Sequence, residues 1–233
     1  MQSSNDLIAV LKKNRSQFYP VVPFDPQKDS IVAMDFTAAN TALTDELLKD
    51  TAMFAAYVES VLLKSGARYG IGGYAEHRTI YRVSNVFDST GLAGEPRTVH
   101  LGTDIWGPAG TPVMAPLDSI IHSFAFNDRF GDYGATIILS HILDGLTFYT
   151  LYGHLSLISI QNCSEGQPVQ KGTTFATFGI PEENGHWPPH LHFQVINDLK
   201  SNKGDYPGVC TAADKRKYLA NCPDPGLLLA MKP

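Results

Sequence analysis

The sequence predicts a mainly β body of antiparallel, sandwich-like strands, with N-terminal helices before it and a short helical tail after it. Three observations carry that prediction. Helical periodicity is confined to the first 66 residues and a stretch near the end. Between them, short runs rich in β-branched and aromatic residues alternate with Gly, Pro, Asn and Asp turns: 79–83, 112–114, 119–126, 135–141, 147–153, 173–178 and 190–196. No βαβ alternation and no glycine-rich phosphate loop is evident, which argues against a nucleotide-binding fold. The chain therefore divides into an N-terminal helical region (1–66), a β-rich domain (67–200) and a C-terminal extension packed on it (201–233).

Taken in order, the first helix spans about residues 6–13, with Leu7, Val10 and Leu11 at helical spacing behind a Ser/Asn-rich cap. A longer helix is expected from about Thr44 to Lys64. Thr44 can cap it, Asp45 and Glu46 favour its first turn, and Gly66 can close it. Leu47, Phe54, Val58 and Leu62 form an apolar stripe that needs a surface to pack on. The stretches Gly110-Thr-Pro-Val-Met-Ala-Pro116 and Gly166-Gln-Pro-Val-Gln-Lys-Gly172 have the look of the paired hairpins of biotinyl or lipoyl carrier domains. The Met-Lys-Met or Asp-Lys-Ala triplet that such carriers modify is absent, so hairpin geometry is kept and carrier function is not. The tail from Lys200 is loop-rich, with a short helix expected near 212–220.

Composition narrows the function. With 233 residues, 43 % hydrophobic and 18 % charged, the chain can build a real core and is too apolar for disorder. A net charge of -5 without a run of like charges gives no footprint for nucleic acid or an anionic membrane. No apolar run approaches the roughly 18 residues of a membrane span. The N-terminus has no basic n-region, and its apolar run, Leu7 to Leu11, is shorter than the about 7–15 residues of a signal-peptide core. A full natural chain of this kind points to the cytoplasm, a trimmed one to the periplasm or the exterior. The three cysteines lack CxxC spacing. Cys210 and Cys222 are near enough in sequence to pair, but reduced thiols are the simpler expectation.

The histidines point to chemistry. Three of the eight lie in Asn184-Gly-His-Trp-Pro-Pro-His-Leu-His-Phe-Gln-Val-Ile196. On a strand, Leu191, Phe193 and Val195 share one face and His190, His192 and Gln194 share the other. If the apolar set faces the core, both imidazoles project into one space, aimed by Pro188 and Pro189. Upstream, His100-Leu-Gly-Thr-Asp104 reads as a strand running into a loop that brings His100 and Asp104 together. His154 sits where the strand 147–153 reaches a turn. His122 and His141 read as hydrogen-bonded structural residues, His77 as a loop residue, and His186 as an exposed or cleft-lining one. Two imidazoles and one carboxylate suit a catalytic zinc, which takes three protein ligands and leaves one position for water. Spacing alone leaves open which of His190 and His192 would be the ligand.

In their order and separation these motifs resemble the lysostaphin-like zinc metallopeptidases, which cut peptides of bacterial peptidoglycan. The resemblance covers about residues 97–196 and rests on His100-Leu-Gly-Thr-Asp104, the two Gly/Pro hairpins, Gly134-Ala-Thr-Ile-Ile-Leu139, Tyr152-Gly-His-Leu-Ser156 and Pro189-His-Leu-His-Phe193. It implies one Zn2+ per chain held by His100, Asp104 and His192, with His154 and His190 as the catalytic pair. It further implies a peptidoglycan or muropeptide substrate. The acidic charge and the lack of a basic wall-binding module favour the D-alanine–diaminopimelate bond over glycine bridges. A degenerate, non-catalytic binding or activator module of the same fold is the alternative, and the filling of all five positions argues against it.

Overall fold

The protein is described by a computed structural model that covers residues 4–88, 94–229 and 231. Helix α1 (Ser4–Lys13) leads through an extended segment to strand β1 (Ile31–Met34), helices α2 (Asp45–Lys49) and α3 (Thr51–Ser65), and strand β2 (Tyr69–Gly72). Two 3-10 turns, Ile80–Val83 and Asn85–Phe87, precede β3 (Val99–His100) and β4 (Thr103–Trp106). The body continues with β5 (Pro112–Met114), β6 (Ser119–Asn127), β7 (Gly134–Leu143), β8 (Leu146–Leu155), α4 (Leu157–Gln161), β9 (Pro168–Val169), β10 (Thr174–Thr177) and β11 (His190–Ile196). Strand β12 (Val209–Cys210), α5 (Lys215–Asn221) and a 3-10 turn at Pro225–Leu227 close the chain. The expected C-terminal helix is thus present, and part of the Ser/Asn-rich cap expected before α1 lies outside the described residues.

Eight strands form one sheet in the order β1-β2-β4-β11-β8-β7-β6-β9, with β10-β5 and β12-β3 as separate two-stranded ladders. The mainly β, antiparallel body is as expected. One exception is the parallel pair β1–β2, joined by a crossover through α2 and α3. The sequence does not announce this unit. Strand β1 is four residues long, and its burial pattern does not alternate, so it leaves no period-2 signal.

Two further expectations are corrected. Residues 79–83 do not form a strand. Ile80 and Tyr81 are successive residues at 1 % and 6 % exposure that enter the same apolar cluster, which a 3-10 turn allows and the opposite-pointing side chains of a strand do not. The helix expected from Thr44 to Lys64 is two helices. Thr44 caps the first, accepting from the Leu47 N–H, and the Asp50 side chain caps the second, accepting from the Ala52 and Met53 N–H groups. Gly66 closes the second in the left-handed region at φ 62°.

The sheet has two dissimilar faces. One carries Ile105, Ile137, Leu139, Phe148, Tyr152, Leu191, Phe193 and Val195 into the main core, together with Leu7 and Leu11 of α1 and Leu228 and Leu229 near the C-terminus. The other is covered at two places. Phe36, Phe54 and Val58 of the N-terminal segment pack against Trp106, Trp187, Tyr81 and Phe87. Val99, Leu101, Cys210 and Cys222 pack with Tyr133, Ile138, Leu151 and Ile196. Between these two clusters the face stays open, and the polar residues gather there. Cys210 and Cys222 are buried free thiols that share the second cluster without a bond.

Candidate metal centre and cleft

Register places the polar residues. His192 lies opposite Asp104 across β11 and β4, and His190 lies opposite Trp106. These residues share one face by strand alternation, so their side chains meet over the sheet. The Trp106 and His190 rings stack at 3.9 Å and 13°. His100 reaches the same point from the β3–β12 ladder, where it pairs with Val209. His100, Asp104 and His192 converge as the group of side chains able to hold a metal ion among the described residues, all three buried.

The hydrogen bonds fix what these groups offer. His100 Nδ1 lies 3.1 Å from the Gly73 carbonyl, which can only accept, so Nδ1 carries the proton and Nε2 a lone pair. Gln194 donates its amide to the Pro207 carbonyl and Cys222 Sγ, so its carbonyl oxygen faces His192 Nε2 at 2.9 Å. That oxygen accepts, which leaves the His192 lone pair on Nδ1. Nε2 of His100 and Nδ1 of His192 are then 3.0 Å apart, and both lie within 3.2 Å of Asp104 Oδ1. Three electron pairs thus face one another in a buried space without a donor among them. Such an arrangement is repulsive unless a cation sits on it, and its N, N, O donor set fits zinc. Glycines make room for it. A Cβ on Gly102 would meet His192 at 2.7 Å.

The second oxygen of Asp104 is taken by Arg78, a residue the sequence reading passed over. Arg78 Nη1 donates to Asp104 Oδ2, and Nε donates to Glu76 Oε2 at 2.7 Å. Burial works against an ionised Asp104, but the Arg78 guanidinium beside it outweighs that and holds the carboxyl well below its ordinary range. Burial pushes His100 down to about 4, which keeps its lone pair available.

His154 and His190 stand beside the cluster. Their ring centroids are 4.1 Å apart. His154 Nδ1–H donates to the Asn184 carbonyl and His190 Nδ1–H to the Pro188 carbonyl, each at 2.7 Å, so both carry the lone pair on Nε2. Burial lowers His154 well below the usual imidazole value and brings His190 to about 4, so both rings are neutral bases.

The sequence places His154 at a strand end, and the structure refines this. Tyr152 pairs with Ile137 and Leu155 with Ala135, so β8 uses three steps where β7 uses two. The extra residue is a bulge, and His154 adopts φ 63° within it. Without the bulge His154 would share the core face with Tyr152. The bulge turns it to the cleft.

His100, Asp104, His154, His190 and His192 all line one cavity of ≈ 360 Å³, with Tyr81, Phe87, Tyr133, Trp187, Arg97, Arg129, Asp132 and Asp205 around them. His186 is not part of it. It is exposed and lies against Phe130. His77 pairs with Thr98 and His122 with Ser123, away from the cluster. Tyr133, Glu76 and Arg78 are the site residues that no motif announced. Gln194 was visible as the third polar residue on the His190 face.

Comparison with known proteins gives the same region. Residues 98–204 match Peptidase family M23. Among curated proteins, an "Uncharacterized metalloprotease" of Haemophilus influenzae is 29% identical over 126 residues, 52% of this chain and 24% of that protein. An "L-Ala--D-Glu endopeptidase" of Bacillus subtilis is 28% identical over 151 residues, 60% of this chain and 44% of that protein. The "DD-carboxypeptidase/endopeptidase Mpg" of Neisseria meningitidis serogroup B is 33% identical over 136 residues, 57% of this chain and 29% of that protein. The alignments thus span less than half the length of each of these relatives.

Proposed function

We propose that the chain, whose residues 98–204 match Peptidase family M23, is a zinc-dependent endopeptidase acting on peptidoglycan peptides. The observation that carries this reading is the convergence of the His100, His192 and Asp104 electron pairs at 3.0 to 3.2 Å, with each tautomer set by a carbonyl acceptor behind it. His100 Nε2, His192 Nδ1 and Asp104 Oδ1 are the atoms that would hold the ion. When bound, zinc acidifies a coordinated water towards a pKa of about 7 and polarises the scissile carbonyl.

The remaining steps belong to the chain's own residues. His154 and His190 hold bare Nε2 atoms beside the cluster, suited to take the proton of the attacking water and return it to the leaving amine. The carbonyls of Asn184 and Pro188 keep each ring in the tautomer that can do so. The Trp106 stack removes rotational freedom from His190.

The favoured target is the D-alanine–diaminopimelate bond. The cavity wall mixes Arg97 and Arg129 with Asp132 and Asp205, which suits a peptide that carries charges of both signs. The Neisseria relative is named a DD-carboxypeptidase/endopeptidase, whereas the Bacillus relative is named for the L-Ala–D-Glu bond. No helix among the described residues is long and apolar enough to cross a membrane.

The test is incubation of metal-loaded protein with purified muropeptides of defined cross-link, read by mass spectrometry. Cleavage between D-alanine and diaminopimelate, abolished by a chelator and restored by zinc, is the expected result. Cleavage confined to the L-alanine–D-glutamate bond would move the substrate assignment. Loss of all cleavage despite bound zinc would make the chain a non-catalytic module.

A further inference from the structure

The proposed hydrolysis falls to residues within 98–204, yet two of the three side chains proposed to hold the metal are held from outside that range. Residues 73–78 run along His100. The Ala75 N–H donates to the His100 carbonyl at 3.0 Å, and the His100 N–H donates to the Glu76 carbonyl at 2.9 Å. The Gly73 carbonyl sets the His100 tautomer. Arg78, anchored by its own N–H to the Thr98 carbonyl at 2.8 Å, reaches Asp104. We infer that Arg78 is a positioning residue for the metal centre: it occupies Asp104 Oδ2 and so limits Asp104 to a single metal-facing oxygen. This inference rests on the zinc reading above.

The geometry is built for that purpose rather than for a generic ion pair. Arg78 is 1 % exposed, and its guanidinium is held at Nε and Nη1, while Nη2 has no hydrogen-bond partner among the described residues. Glu76 takes Nε, Asp104 and the Tyr81 hydroxyl take Nη1, and the Phe36 ring lies 5.3 Å from the guanidinium carbon. Strand β2 carries glycine where it passes. A Cβ at position 72 would stand 2.5 Å from Nη2, and Gly72 is the register partner of Asp104. An isolated buried arginine would be costly, and a fork shared between two carboxylates offsets that cost while fixing direction.

The division of Asp104 has a chemical consequence. A carboxylate free at both oxygens can grip a metal with both and fill the position that water and substrate need. With Oδ2 committed to Arg78, only Oδ1 faces His100 and His192, at 3.2 and 3.1 Å. The guanidinium also withdraws electron density from the ligand, which keeps the bound ion a stronger Lewis acid. Losing such a partner of a metal ligand typically lowers metal affinity or activity by roughly 10–100-fold.

The experiment uses the full chain loaded with Co2+ in place of zinc, whose visible absorption reports coordination number, alongside muropeptide kinetics of the zinc form. The double variant Glu76→Gln with Arg78→Met removes the fork without leaving Glu76 as an unpaired buried carboxylate. Its cobalt band is expected to weaken as Asp104 takes the ion with both oxygens. In the zinc form kcat should fall roughly 10–100-fold with KM nearly unchanged. Arg78→Lys keeps the charge but cannot fork between two carboxylates, and should recover only part of kcat. If the double variant does not fold, Gly72→Ala reads the same quantity, because its methyl group displaces the guanidinium while every charge stays in place. A cobalt band and a kcat equal to wild type in these variants would overturn the inference. Failure of the wild-type chain to bind cobalt or zinc would overturn the zinc reading itself, and that arm is read before any variant.

Discussion

Two buried histidines on opposite faces of one sheet show what makes a site. His141 on β7 and His192 on β11 are 1 % and 3 % exposed. His141 faces the apolar core, stacked on Phe148 at 4.9 Å, with one ring nitrogen on Thr150 Oγ1 at 2.7 Å and the other without a partner among the described residues. His192 faces the cleft, with Gln194 behind it and His100 and Asp104 before it. Burial is common to both. What separates them is that His192 points its lone pair at two others, whereas His141 meets a hydroxyl able to complement it. Convergence of acceptors, not burial, marks the candidate metal centre.

Breaking the His192 side of the comparison should have the largest effect. His192→Ala removes one of the three proposed ligands, and both bound zinc and muropeptide cleavage should be lost. His190→Ala leaves the three donors in place. Zinc content, measured by elemental analysis, should be retained, while cleavage falls by roughly 10²–10⁴-fold. Equal loss of zinc in both variants would show that the two residues do not have separate roles.

The His141 side should appear in stability rather than activity. Burial lowers its pKa from 6.5 to about 4, so the fold favours the neutral ring. The unfolded chain binds a proton below about 6.5 and the folded one only near 4. The stability is therefore full above about 6.5 and declines as pH falls through that window. Between about pH 7.5 and about pH 5 the loss should be on the order of 2 kcal/mol. It is read as the difference in denaturant-unfolding free energy between wild type and His141→Gln, since every other ionisable group is common to both. Identical pH slopes would mean that His141 is not held neutral by the fold.

The smallest effect sharpens the boundary of the site. His186 neighbours the cluster in sequence but is exposed, against Phe130. His186→Ala should change stability by less than about 0.5 kcal/mol and leave kcat/KM and zinc content at wild-type values. A drop in cleavage comparable to that of His190→Ala would extend the cleft to this loop.

Much of this was legible in the sequence because it depends on short-range rules. The period of two along His190–Ile196 puts His190 and His192 on one face, and the observed strand has those bounds. Thr44 and Gly66 announced helix ends through capping chemistry, and both cap as expected. The break at Asp50 was missed because a capping aspartate inside an apolar stripe looks like an ordinary exposed position. The order of the motifs then carried the family resemblance.

Tertiary structure alone decided the rest. His100 joins His192 across 92 residues and Arg78 joins Asp104 across 26, and contacts of that range leave no periodicity to read. The bulge that turns His154 to the cleft arises from a mismatch between β7 and β8, not from either strand by itself. The tautomers of the four histidines are set by acceptors at Gly73, Asn184, Pro188 and Gln194. The amino-acid sequence by itself determined which groups could do chemistry. Only the packed chain decided which lone pairs face one another, because that depends on what stands behind each ring.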